Sequence, residues 1–296
     1  MTVSDTASRT VVAASQTGQQ TVRWKLFEEA LLGIAVRHIG RATLLGAGAL
    51  ATTLAAEVMA ARRHRFLVHE TPLEISGTIG PEDGEPLTLV VLGDSSVAGV
   101  GADAAEDTLT YGVAKALSDQ YRVSLHALGV SGSRLSHVVC DQLPQAEGLD
   151  PDIVLVCVGT NDVTHGTTVR EARRQLRLLV AGLSEVAPNA RVIVSGLPPA
   201  ETSVAFHRPL RDLLGLRALL FTRLYRAELV PHGISVFDIA KLTKSAFHGK
   251  REMFSADLFH PSSAGYAFLA TIYGRAVREA LDAARELQPD PEAELA

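Results

Sequence analysis

Cysteine is scarce in this chain: Cys140 and Cys157 are the two in 296 residues. Two thiols make no disulfide framework, and Cys140 and Cys157 do not have the spacing of a metal-ligand pair. Cys157 sits in the apolar run DIVLVCVG, where a small buried thiol is the simplest reading. A domain of this size needs no disulfide in either redox compartment, so the cysteines are silent about location. Basic charge is also short. The formal net charge is −5, which supplies no electrostatic footprint for nucleic acid. No Gly-Lys-Ser/Thr follows the first glycine-rich turn, and the Gly99/Gly101 pair lacks the third glycine of a dinucleotide fingerprint, which excludes both nucleotide-binding loops. No repeat period is visible. Neither a metal nor a cofactor is therefore expected.

The chain divides by composition. Residues 1–22 are rich in Ser, Thr and Gln with few large apolar side chains, and cannot bury enough surface to offset their ordering entropy; they are expected to be disordered. Residues 23–66 are free of proline and read as a helical extension. Within it, 43–61 (TLLGAGALATTLAAEVMAA) is just long enough to cross a bilayer, flanked by Arg41 and by Arg62, Arg63 and Arg65. A spanning helix, an amphipathic helix lying on a membrane or partner, and a cleaved leader compete for it; Glu57 and the many alanines leave it only modestly hydrophobic and suited equally to the first two, and the distance from Met1 disfavours the third. The chain is thus expected to be membrane-associated through this segment, or otherwise cytoplasmic. Residues 67–87 mix Pro, Gly and acidic residues and read as a linker. A domain over 88–286 and a disordered tail over 287–296 complete the expected organisation.

From the linker onward, short apolar runs alternate with helical segments. LTLVVLG, VSLHAL, DIVLVCVG, RVIVSGL and ISVFDI are separated by helices expected near 107–119, 133–146, 168–187 and 209–230, with a final helix over about 262–286. Continuous Val/Ile/Leu strands between amphipathic helices imply a parallel sheet covered on both faces. The expected fold is α/β: a three-layer α/β/α sandwich with a flavodoxin-like sheet of five parallel strands. Ligands of such sheets sit beyond the carboxyl ends of the strands.

Three motifs fall at those ends, and a fourth precedes the last helix. Gly93-Asp94-Ser95-Ser96 follows the first strand and delivers a serine on a tight turn, its own N–H free to face a developing oxyanion. Leu128-Gly129-Val130-Ser131-Gly132 follows the second, with glycines that let a backbone N–H approach a ligand. Gly159-Thr160-Asn161-Asp162 follows the third, where the Asn161 amide can donate into the same crevice. Asp257-Leu258-Phe259-His260-Pro261 precedes the last helix, an acid three residues ahead of a histidine in the arrangement that fixes an imidazole tautomer. Taken singly, each reads more simply as a turn or a cap. Among the other histidines, His165, His207, His232 and His248 read as solvated.

In order and placement the four segments resemble the sequence blocks of the SGNH hydrolases, also called the GDSL family, over residues 88 to 280. The resemblance implies Ser95 as nucleophile, His260 as general base and Asp257 as the acid that orients it. It also implies an oxyanion hole of the Ser95 N–H, the Gly132 N–H and the Asn161 side chain. Two positions depart from the common pattern: Ser96 stands in place of Leu, and Ala127 stands where an Asn often opens the second block and supplies a supporting hydrogen bond. The implied activity is hydrolysis of carboxylic acyl esters, with lipid, lysophospholipid and thioester substrates all open. A membrane-tethered binding or scaffold protein and an acyltransferase using the same site are the alternatives. The partner expected is a small-molecule or lipid ester. Between the fourth and fifth strands, Phe206, Leu210, Leu213, Leu214, Leu216, Leu219, Leu220 and Phe221 read mainly as a core-facing helix, with some available to line an acyl pocket.

Overall fold

The computed structural model describes residues 52–59 and 73–287. The expected disorder of 1–22, most of the helical extension 23–66 and residues 288–296 of the expected tail lie outside the described residues. Of the segment 43–61, residues 52–59 form a helix, α1, and the rest lies outside. Among the described residues no helix is long and apolar enough to cross a membrane.

Six strands build the sheet: β1 (Gly77–Ile79), β2 (Glu85–Gly93), β3 (Tyr121–Ala127), β4 (Ile153–Cys157), β5 (Arg191–Ser195) and β6 (Ser235–Phe237). Their order is β1-β3-β2-β4-β5-β6. The five strands β2 to β6 are parallel, as the apolar runs predict. The sheet is nonetheless mixed, because β1 pairs antiparallel with β3 at one edge. This corrects the five-stranded expectation and removes 77–79 and 85–87 from the linker. A three-residue edge strand and the polar start of β2 are too short and too hydrophilic to show an apolar period.

The order of the parallel strands positions the site. From β2 the chain moves outward to β3, then returns past β2 to β4 and continues to β5 and β6. Right-handed crossovers in opposite directions place α2 (Leu109–Leu117) on one face and α5 (Val169–Val186) and α6 (Leu210–Leu229) on the other. The closing helix α8 (Ser263–Leu287) packs beside α2. Leu89, Val91, Ile153, Leu155 and Cys157 meet Val113, Leu117, Tyr266 and Val277 on that side, while the alternate residues Val90, Leu92, Val154 and Val156, also fully buried, face the other way. Each such side chain contributes about 1.5–3 kcal/mol on burial. The reversal of direction puts the switch point of the sheet at the carboxyl end of β2.

Three helical pieces depart from the expected pattern. The helix expected over 133–146 is broken into α3 (Leu135–His137), a π-turn over Val138–Gln142 and a tight 3-10 turn over Leu143–Ala146 that carries Pro144. The short helices α4 (Thr160–Thr164) and α7 (Ile239–Phe247) have no expectation to match. α6 is less core-facing than its composition implies: Leu210, Leu214 and Phe221 are buried, but Leu213, Leu216, Leu219 and Leu220 are exposed.

Candidate active site

Ser95 lies two residues beyond β2, at the switch point. Gly93 is required there by close approach, since a Cβ would overlap the carbonyl oxygen of Cys157 on β4. The chain then turns tightly, with Val97 N and Ala98 N both donating to Asp94 O (3.1 and 3.0 Å) and Val100 N donating to Ser95 O (2.9 Å). Tyr266 of α8 clamps the turn by donating its hydroxyl to Val100 O at 2.7 Å.

Asp257 and His260 arrive from a loop before α8. Phe254 and Pro261 form a β-bridge across its neck, and Leu258 takes a left-handed φ of 61° at its tip. Asp257 Oδ1 accepts from Ser255 Oγ (2.8 Å), Phe259 N (2.9 Å) and His260 N (3.0 Å), leaving Oδ2 to meet His260 Nδ1 at 2.6 Å. His260 Nε2 stands 3.0 Å from Ser95 Oγ. The ring is steadied by the edge of Phe259, whose centroid lies 5.0 Å away. Ser95, Asp257 and His260, far apart in sequence, thus form one buried hydrogen-bonded chain. With Nδ1–H directed at Asp257, the free lone pair of Nε2 faces the serine hydroxyl, an arrangement that can take its proton.

Gly132 occupies the loop after β3 with φ of 81° and open space where a Cβ would point. Asn161, in the first turn of α4, donates from Nδ2 to Ser133 O at 3.0 Å, which uses one amide hydrogen and leaves the other. Its neighbour Asp162 is buried and accepts from Leu135 N at 2.9 Å, tying α4 to the Gly132 loop. Burial holds the Asp162 carboxyl above its usual range despite hydrogen bonds from Leu135 and Thr167. His165, His207, His232 and His248 are all exposed.

Three further groups stand at the site: Asp94 and Gln142, to which the sequence assigns no role, and Cys157, buried as its apolar run implies. Asp94 is buried beside the serine, and Ser96 donates to its Oδ1 from both N (3.1 Å) and Oγ (2.9 Å). Burial outweighs these bonds and pushes its carboxyl up to about 6. A carboxyl raised in the folded state favours folding when protonated, fully so below about 4 and progressively less as pH rises through about 6. Asp94→Asn is therefore expected to gain roughly 2–3 kcal/mol on the parent between pH 4 and pH 7.5. Urea unfolding of both proteins at the two pH values measures it, and parallel losses in the two would refute it. Cys157 is buried, which pushes its thiol up and keeps it protonated and unreactive. Gln142, the third group, is buried at the end of the π-turn, and a Gln that follows Asp141 and precedes Leu143 carries no sequence signal that distinguishes it from a surface residue.

A cavity of ≈140 Å³ opens onto Ser95 and His260. Phe206, Phe247, Phe254, Phe259, Ile239 and Leu269 line its apolar wall, and Ser195 and Tyr273, hydrogen-bonded to each other at 2.8 Å, also border it. Among the described residues no cluster of three or more His, Cys, Asp or Glu is placed to hold a metal ion.

The switch-point serine, the strand-end loops and the cavity place this chain among the three-layer α/β proteins that carry their site at the carboxyl edge of the sheet. More narrowly, it belongs to the GDSL-like Lipase/Acylhydrolase family, whose sequence profile matches residues 91–268. It is 30% identical over 198 residues to a GDSL-like esterase of Mycobacterium tuberculosis, a match covering 65% of this chain and 62% of that protein. It is also 38% identical over 78 residues to the platelet-activating factor acetylhydrolase IB subunit alpha1 of Bos taurus, covering 25% of this chain and 33% of the relative. The chain therefore spans less than two thirds of the length of either relative. Among solved structures, TesA superposes with a TM-score of 0.53 at 22% identity, covering 65% of this chain and 99% of TesA. A lipase/acylhydrolase from Enterococcus faecalis superposes with a TM-score of 0.51 at 23% identity, covering 65% and 96%. These two likenesses show the fold.

Proposed function

We propose that this protein hydrolyses carboxylic esters with a short, apolar acyl group, using Ser95 as nucleophile, His260 as general base and acid, and Asp257 to orient it. The 3.0 Å contact between His260 Nε2 and Ser95 Oγ carries the reading. Ser95 Oγ attacks the ester carbonyl carbon as its proton passes to Nε2, and the N–H groups of Ser95 and Gly132 with the Asn161 amide stabilise the oxyanion. His260 returns the proton to the leaving alcohol as the ester C–O bond breaks. Water then attacks the acyl-serine, giving its proton to His260, and the carboxylic acid departs with Ser95 restored.

The size of the cavity supports the acyl preference. At ≈140 Å³ it is close to the ~150 Å³ apolar cavity known to take up benzene, which corresponds to a chain of about four to six carbons. Family membership and the names of the esterase and acetylhydrolase relatives support the reaction type. A fluorophosphonate probe is expected to label Ser95 and to lose that labelling in His260→Ala. On p-nitrophenyl esters of graded length, kcat/KM is expected to peak near butyrate to hexanoate and to fall beyond about ten carbons. Folded protein that takes no label, or a rate still rising at twelve carbons, would be the contrary result.

A further inference from the structure

Past Ala127 the chain of β3 swings away from β2, so the far end of β2 loses its strand partner on that side. Register pairing stops at Val91 with Ala127, and only Leu128 N to Val91 O (2.9 Å) and Val130 N to Gly93 O (3.2 Å) continue it. The amide of Gln142 fills the gap. Its Oε1 accepts from Gly93 N at 2.8 Å and its Nε2 donates to Gly93 O at 2.8 Å, the double bond a neighbouring peptide would make. The second Nε2 hydrogen reaches Ser133 Oγ at 3.1 Å. Gln142 is 1% exposed, and water has little access to substitute for it.

We infer that Gln142 is a positioning residue that aligns the three oxyanion donors with one another. Gly93 is two residues from Ser95. Ser133 follows Gly132, and its carbonyl oxygen holds Asn161 Nδ2. One side-chain amide thereby joins the mounts of two donors directly, at Gly93 and Ser133, and reaches the third, Asn161, through the Ser133 carbonyl. Ala127 offers no side-chain hydrogen bond to the Gly132 loop, so the loop takes its alignment from Gln142 and from Asp162, which holds Leu135 N. The π-turn over Val138–Gln142 supplies the extra residue that swings Gln142 toward the sheet, a device π-turns often serve at functional sites. Donor placement matters because a displacement of about 1 Å is enough to lower turnover on the order of 100-fold.

This inference rests on the proposed serine-hydrolase reading. Gln142→Leu keeps the volume and removes the amide; Ser133→Ala removes only the link to the loop and leaves the Gly93 clamp intact. Assayed on p-nitrophenyl butyrate, Gln142→Leu is expected to lose on the order of 10-fold to 100-fold in kcat with KM within about twofold, and Ser133→Ala roughly 5-fold to 10-fold. Should Gln142→Leu fail to fold, Ser133→Ala carries the test, with thermal melting as the control. Because Gln142 acts through the donors, its effect is expected to shrink severalfold in an Asn161→Ala background, whereas a purely structural role would add. Parent kcat in both variants, a loss confined to KM, or additivity with Asn161→Ala would overturn the inference. Ser95→Ala in the same assay separates the two readings: activity kept there overturns the hydrolase reading and this inference together, and activity lost there but kept in the Gln142 and Ser133 variants overturns this inference alone.

Discussion

Ser95→Ala is expected to lower kcat for ester hydrolysis by on the order of 10⁶. The change removes the hydroxyl that stands 3.0 Å from His260 Nε2 and would form the acyl intermediate, and water placed beside the imidazole lacks the fixed position of Oγ. Its cost to folding is small, because the turn is held by the Ser95 carbonyl, by Asp94 O and by the Tyr266 clamp, none of which involves the hydroxyl. Active-site titration together with thermal melting measures both. A variant that melts with the parent and still turns over p-nitrophenyl butyrate at the parent rate would remove Ser95 from the mechanism.

Asp257→Asn is expected to cost about 10⁴ in kcat, and the loop geometry dictates the reason. Oδ1 of Asp257 accepts three hydrogen bonds, from Ser255 Oγ, Phe259 N and His260 N. In the variant, two backbone N–H groups and a hydroxyl at that position select the amide oxygen. The NH₂ group is then turned toward His260 Nδ1 and donates to it. The imidazole must carry its proton on Nε2, the atom that faces Ser95, and it cannot accept the serine proton. Structure and ring position survive while the tautomer is wrong, so fluorophosphonate labelling should slow in step with kcat and KM should change little. Labelling at the parent rate in Asp257→Asn would mean that Asp257 does not orient the base.

The two predictions draw on different layers of information. The parallel α/β class was legible in the sequence because β2, β4 and β5 are buried on both faces, and such strands must read as unbroken runs of Val, Ile and Leu. The long helices α5 and α8 were legible because each keeps an apolar stripe over many turns. The edge strand β1 was not, since a three-residue pairing at a solvent edge imposes almost no pattern. Nor was the break in the helix over 133–146, where Gln142 and Ser133 compete with the helical ladder for bonds that exist only once β2 is in place. Four leucines of α6 looked like core and are exposed, because residue type reports a preference for burial and not the presence of something to bury against.

By itself, then, the sequence determined the fold class and the turns that follow its strands, and its resemblance to the SGNH hydrolases singled out Ser95, Gly132, Asn161, Asp257 and His260. Fold class and turns are local properties, set by periodicity and by turn residues, and the resemblance rests on the order of four short motifs. The tertiary structure alone decided that Ser95 and His260, 165 positions apart, come within 3.0 Å. It alone decided that an apolar cavity of ≈140 Å³ opens onto them, and that a buried glutamine ties Gly93, at the end of β2, to Ser133 in the loop after β3. Distances between remote residues, enclosed volume and the partners of a buried amide arise from how layers pack, and no stretch of chain encodes them separately.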